Sequence, residues 1–148
     1  MKQENLRAYF FQNMYLQGIQ AGIQTQHTTT EMFVKYNYPT AKLAFGVQLI
    51  TLMDWASLHK TTIVLNGGMS GDLLELEQLL SSEDNPYPWS SFRESEYALN
   101  GALTSVGIVL PEKVYGYYKL SEGEQGQVWL SNWERELVEV LSSKRLMN

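Results

Sequence analysis

The order of apolar segments along the chain is the feature that most limits its fold. Residues 6–11 are apolar and aromatic, which suits a strand buried on both faces. Two segments with helical spacing of apolar residues follow, at 17–36 and 41–58, and then a β-branched strand at 61–65. Strands that alternate with helices predict an α/β sheet with crossover connections.

The second half of the chain continues this alternation. We expect Ser70 to cap a helix over 72–80, because a serine hydroxyl accepts from the free N–H groups of a first helical turn. The remaining predicted elements are a loop at 81–90, strands at 91–94 and 104–110, an edge strand or hairpin at 114–120, a turn at 123–126 and a terminal helix at 129–146. The sequence therefore predicts a mixed four-stranded sheet with helices on both faces.

Length and composition are those of one globular domain spanning residues 1–148. The chain has no cysteine and two histidines, so we expect no disulfide, no typical zinc site and no cofactor. Its formal net charge of −5 argues against a broad non-specific nucleic-acid surface, which draws on clustered lysine and arginine.

Neither end of the chain nor its apolar middle predicts a membrane association. The N-terminus lacks the apolar core of a secretory signal. The longest apolar stretch, residues 41–58, is interrupted by Lys42, Gln48 and Asp54, which suits a buried helix better than a membrane span. We therefore expect a cytoplasmic protein with no membrane partner.

Several short patterns occur in an order that resembles the type 2 peptidyl-tRNA hydrolase family. They are Gln24-Thr-Gln-His27 on the first helix, a helix ending near Trp55, a strand starting near Lys60, Gly71-Asp72-Leu73-Leu74, and Thr104 at the start of the last core strand. The resemblance covers roughly residues 6–110. It implies the small α/β fold of that family, with 111–148 as an extension that adds a C-terminal helix, and it favours a homodimer.

The positions that carry catalysis in this family are changed here. The resemblance places Gln20 where the family has a lysine, Asn100 where it has an aspartate, and Gln12 where it has an arginine. An amide supplies neither the fixed charge nor the general base, and such losses typically cost ~10²–10⁴ in rate. His27 and Thr104 remain as catalytic candidates if the chain is an enzyme, with Glu94 or Glu96 as a replacement base.

These residues instead predict an uncharged binding pocket. Its candidate ligand-binding residues are Gln12, Asn13, Gln20, Gln24, Asn100 and Thr104, and the candidate rings for stacking a base are Tyr15, Trp89 and Tyr97. Amides and hydroxyls hydrogen-bond a nucleobase edge or a ribose without cutting any bond. The plainer interpretation is that they are ordinary solvated polar residues.

Three functions follow as hypotheses. The first is non-catalytic sequestration of a nucleotide-derived small molecule, of which a viral counter-defence protein that removes a host signal is one concrete version. The second is an active peptidyl-tRNA hydrolase with tRNA as its partner. The third is a protein that blocks a partner protein through the 81–90 loop or the terminal helix.

Overall fold

One mixed sheet organises the chain. A computed structural model describes residues 5–37, 44–95 and 101–147. Within these ranges the strands are β1 (Leu6–Asn13), β2 (Thr62–Gly68), β3 (Trp89–Arg93) and β4 (Leu103–Pro111). Their order in the sheet is β2-β1-β4-β3; β1 is parallel to β2, and β4 is antiparallel to both β1 and β3. The predicted α/β class with a mixed four-stranded sheet is confirmed.

The helices connect and follow these strands. They are α1 (Ile19–Asn37), α2 (Gly46–Asp54) with a π-helical turn at Trp55–His59, α3 (Ser70–Leu80), α4 (Glu112–Tyr115), a 3-10 turn at Tyr117–Lys119, α5 (Glu122–Gln125) and α6 (Asn132–Ser143). None of the described helices combines the length and apolarity that a membrane crossing requires.

Strand β1 divides the core into two layers because its side chains alternate between the faces of the sheet. Ala8 and Phe10 belong to an apolar cluster with residues of α1 and α2. Tyr9 and Phe11 belong to a larger cluster with residues of α3 and α6. Helices therefore cover both faces, and all eight residues of β1 except Arg7 are buried.

Helix α1 is fixed against β3 and β4 along its length. Near its middle, the Thr28 and Ser105 hydroxyls share a 2.6 Å hydrogen bond, and Gly107 lets the Phe10 ring approach where a Cβ would lie 2.7 Å from it. Near its end, Lys35 Nζ donates to the Trp89 carbonyl and lies 3.7 Å from the centre of the Trp89 ring. Burial lowers the pKa of Lys35 to about 8.

The threonine run of α1 lies within a continuous helix. The hydroxyls of Thr28, Thr29 and Thr30 each donate to the carbonyl four residues earlier, at 2.9 to 3.0 Å. These three hydroxyls are therefore satisfied by the helix itself.

Strand β2 extends beyond the predicted 61–65, since Asn66 and Gly68 pair with the end of β1.

The predicted N-cap at Ser70 is wrong by one residue. Met69 is the extended residue before α3, and the Asp72 carboxylate accepts from its backbone N–H at 2.9 Å. Ser70 is the first helical residue. The cap contact is made by the Asp72 side chain, and the Ser70 hydroxyl takes no part in it. Ser70 Oγ instead accepts from Asn13 Nδ2 at 3.3 Å.

The segment after β4 differs most from prediction. Residues 114–120 form the end of α4 and a 3-10 turn instead of a strand, and most of the predicted turn at 123–126 belongs to α5. Helix α6 is shorter than the predicted 129–146 because Ser131 caps it and Lys144 ends it in extended conformation. Trp129 therefore precedes the helix and is 75% exposed.

The C-terminal segment packs on the same core as the sheet. Trp133 and Leu137 of α6 are buried in the cluster that contains Phe11. After α6 the chain pairs with the outer edge of β2, where Asn66 N–H donates to the Arg145 carbonyl at 2.8 Å and Leu146 bridges Leu65. An edge strand is thereby covered by the chain itself.

A buried carboxylate fixes the start of α6. Glu134 is 3% exposed and accepts from the Ser131 backbone N–H at 2.9 Å and from the Tyr87 hydroxyl at 2.5 Å. Lys113 Nζ lies 3.2 Å from the same carboxylate. Burial raises the pKa of Glu134, but these hydrogen bonds and the Lys113 charge outweigh it and hold the pKa below its usual range.

Glu134→Gln should lower the free energy of unfolding at neutral pH by about 1–3 kcal/mol, because charge-assisted hydrogen bonds become weaker neutral ones. The depressed pKa stabilises the fold above the usual value of 4.5, and this contribution is lost as pH falls through the folded-state pKa. Urea unfolding of both proteins should therefore show a difference that shrinks in acid. Glu136→Gln, an exposed change on the same helix, is the control. A difference independent of pH would contradict this account.

Candidate functional site

A cleft of about 630 Å³ lies where the parallel strands β1 and β2 end and where α1 and α3 begin. Crevices at the carboxyl ends of parallel strands are the usual ligand sites of open α/β sheets, because the connecting loops diverge there. The lining residues come from β1, α1, α3, β4 and the adjoining loops. They are Asn13, Tyr15, Leu16, Gln20, Ile23, Gln24, Ser70, Glu94, Ala102 and Thr104.

A chain of three side chains crosses the floor of the cleft. The Thr104 hydroxyl donates to Gln24 Oε1 at 2.9 Å, and Gln24 Nε2 donates to Glu94 Oε1 at 2.6 Å. A carboxylate only accepts, so Glu94 fixes the amide of Gln24 with its oxygen toward Thr104. Gln24 and Thr104 are buried, whereas Glu94 is half-buried. The floor is therefore a pre-oriented polar surface that ends in a negative charge.

A second polar cluster lies beneath this floor. Gln12 is fully buried, and its Nε2 donates to Thr25 Oγ1 and to Ser105 Oγ, both at 2.9 Å. Its Oε1 has no hydrogen-bond partner among the described residues. Buried polar groups of this kind hold neighbouring elements in one arrangement, here the end of β1, helix α1 and β4. Gln12 thus supports the cleft from below.

Part of the cleft lining is apolar and aromatic. Tyr15 is 71% exposed, and Leu16 and Ile23 also line the cleft. The Asn13 side chain holds the turn that carries Tyr15, because its Oδ1 accepts from the Tyr15 backbone N–H at 3.1 Å and its Nδ2 donates to Ser70. The cleft therefore combines an open ring and aliphatic groups with hydrogen-bonding groups.

Most of the predicted ligand-binding residues come together at this cleft. Asn13, Gln20, Gln24 and Thr104 line it, while Gln12 lies beneath it and Asn100 lies outside the described residues. Of the predicted stacking rings, Tyr15 lines the cleft, Trp89 is at the far end of α1 against Lys35, and Tyr97 lies outside the described residues, as does Glu96. The ligand-binding role of all these residues stays a prediction.

The two catalytic candidates are placed differently from each other. Thr104 is on the cleft floor, and its hydroxyl is engaged with an amide oxygen, which is not a general base. The ring of His27 stacks on Phe92, with ring centres 4.6 Å apart, and His27 is not among the residues that line the cleft. In the described part of the chain no imidazole faces the Thr104 hydroxyl.

The cleft differs from the predicted neutral pocket in one respect. Glu94 contributes a carboxylate, and none of the described residues that line the cleft is a lysine or arginine. The neighbouring Arg93 is directed away, because its guanidinium forms an ion pair with Glu77 at 2.8 Å. The sequence indicated Glu94 only as a replacement base, although its position at the end of a predicted strand marks the same sheet edge.

Metal binding finds no support in the described ranges. No group of three His, Cys, Asp or Glu side chains there is arranged to hold a metal ion. Among the described residues that line the cleft, Glu94 is the only one whose side chain commonly ligates a metal.

Comparison with known proteins gives no relative. The chain matches no protein-family model, and no curated protein resembles it to a significant degree. The resemblance to type 2 peptidyl-tRNA hydrolases therefore stays a prediction that rests on the sequence patterns.

Thr104→Val should lower the free energy of unfolding by about 1–2 kcal/mol, because it leaves the buried Gln24 Oε1 without its donor. Thr104→Ser keeps the hydroxyl and should preserve the hydrogen bond. Urea unfolding measures both changes. Equal stability of the valine and serine variants would show that the Thr104–Gln24 bond contributes nothing.

Proposed function

We propose that this chain binds a nucleotide-derived small molecule in the cleft and does not cut it. The observation that carries the proposal is the composition of the cleft. It combines hydrogen-bonding groups that are fixed by their neighbours with an exposed aromatic ring. A planar heterocycle with polar edges is the ligand chemistry that such a surface fits best, through stacking on Tyr15 and bonding to the floor.

Free hydrogen-bonding capacity in the cleft supports this role. The Gln20 side chain is exposed at the rim and makes no hydrogen bond to the described residues. One oxygen of Glu94 and the second N–H of Gln24 are also without a described partner. These groups are available to a ligand without breaking the bonds that hold the floor.

The groups that contact Thr104 support binding without turnover. A threonine hydroxyl needs a base to become a nucleophile, and its described partners are the Gln24 amide oxygen and the Phe92 carbonyl. We extend the proposal to the fold itself: the chain is a divergent type 2 peptidyl-tRNA hydrolase-like domain in which Gln20 replaces a lysine at the cleft. Such a protein would act by sequestration, and a viral counter-defence role is one form of it.

Salt dependence separates this function from tRNA binding. A protein that holds tRNA neutralises phosphates with lysine and arginine, so its affinity falls steeply with salt. None of the described lining residues is cationic. Binding of a small nucleoside-type ligand should accordingly change little with salt.

The direct test is calorimetric titration with the common nucleosides and their monophosphates. We expect saturable binding of at least one of them, and Ile23→Lys should weaken it by at least ~10-fold, since a charged side chain then enters the apolar wall. Ile19→Lys is the matched control, because Ile19 is exposed on the same helix but does not line the cleft. Mass spectrometry of the recovered ligand should show it unchanged.

Three results would contradict the proposal. Equal binding by the Ile23→Lys and Ile19→Lys variants, or no binding by the unaltered chain, would each remove the cleft from the function. Cleavage of peptidyl-tRNA that is lost in Thr104→Ala would establish the hydrolase alternative.

A further inference from the structure

The Glu94 carboxylate at the end of the cleft floor forms no ion pair with the described residues. The described ion pairs are Arg93 with Glu77 and Lys113 with Glu134, and neither includes Glu94. Glu94 Oε1 accepts from Gln24, and Oε2 has no hydrogen-bond partner among the described residues. Half-buried carboxylates that face a cleft without a cation are poised to accept hydrogen bonds from a ligand.

The hydrogen bonds of Gln24 fix the orientation of the Glu94 carboxylate. The Gln24 amide is held at both ends, by Thr104 and by Glu94, so Glu94 cannot turn away without breaking a 2.6 Å hydrogen bond. The carboxylate is therefore a fixed acceptor in a cleft that Ile23 also lines. The edge of a bound ring would supply the donors for Glu94, while the ring face would contact the apolar lining.

We propose that Glu94 selects a guanine ring, an inference that rests on the proposed nucleotide binding. The recognising chemistry is a planar group with two adjacent N–H donors, which a carboxylate accepts bidentately. Guanine has this arrangement at its N1–H and 2-amino groups. Adenine presents an acceptor beside its amino group, and uracil presents one N–H between two carbonyls, so each would place a lone pair against Glu94.

Such a mismatch is a strong source of selectivity. A site built around a fixed polar group rejects analogues that leave the group unpaired, typically by far more than a difference in apolar size would. Inosine, which lacks the 2-amino group, keeps only one of the two donors. We therefore expect the affinities to fall in the order guanosine, inosine, adenosine.

The test is calorimetric titration of the full chain with guanosine, inosine, adenosine and agmatine. Guanosine should bind at least ~10-fold more tightly than adenosine. Glu94→Gln replaces one acceptor by a donor at nearly constant shape, and it should remove most of this preference. Glu31→Gln, an exposed change on α1, should preserve it. An amide proton–nitrogen spectrum establishes that the variants are folded.

The arms of this experiment separate the possible failures. Equal binding of guanosine and adenosine by the unaltered chain, or a guanosine preference that survives Glu94→Gln, would overturn the inference and leave the nucleoside-binding proposal standing. Binding of agmatine without any nucleoside would assign the carboxylate to a guanidinium group instead. That result would overturn both the inference and the proposed function.

Discussion

The burial of strand β1 on both faces and along both edges is the constraint on which the structure depends. The strand lies between β2 and β4, and its alternating side chains belong to two apolar clusters, with Phe10 in one and Phe11 in the other. Because α1 and α2 cover one cluster and α3 and α6 the other, a change in register of β1 would exchange the two clusters. The positions of all the surrounding elements follow from this strand.

The cleft is a consequence of where β1 stops. The last two residues of the strand carry amide side chains instead of apolar ones. Gln12 forms hydrogen bonds within a buried polar cluster, and Asn13 accepts a hydrogen bond from the turn at the rim of the cleft. Helix α1 then returns along the sheet and brings Gln24 between Thr104 and Glu94. The same hydrogen bonds that fix the helix on the sheet therefore also orient the groups that face the cleft. This coupling explains how a site with little charge can be rigid.

Local sequence patterns predicted the first part of the fold well. The continuous apolar run of β1 and the helical spacing of α1 are strong signals over the residues that form them, and the order of strands and helices then gives the α/β class. The pattern at 114–120 misled because aromatic residues favour strands in general, whereas the Tyr115 side chain here packs against the core from a short helix. The extent of α6 was overestimated because the Ser131 capping box starts the helix only after Trp129, and Lys144 ends it.

Part of the cleft lining was predicted from the sequence. Asn13, Gln20, Gln24 and Thr104 were assigned to one pocket, and the structure brings them to one cleft. Glu94 was expected only as a replacement base, and its hydrogen bond to Gln24 was not predicted, because this bond depends on the pairing of β3 with β4 and on a long-range contact. Contacts between residues 70 positions apart leave no periodic trace in a single sequence.

Native mass spectrometry of the purified chain after incubation with a nucleotide-rich cell extract tests whether the cleft retains a nucleotide-derived molecule unchanged, and it reports the oligomeric state in the same spectrum. We predict a bound small molecule that is released intact on denaturation and whose fragments include a nucleobase. A spectrum of the ligand-free chain alone, or release of a cleaved product, would contradict the account.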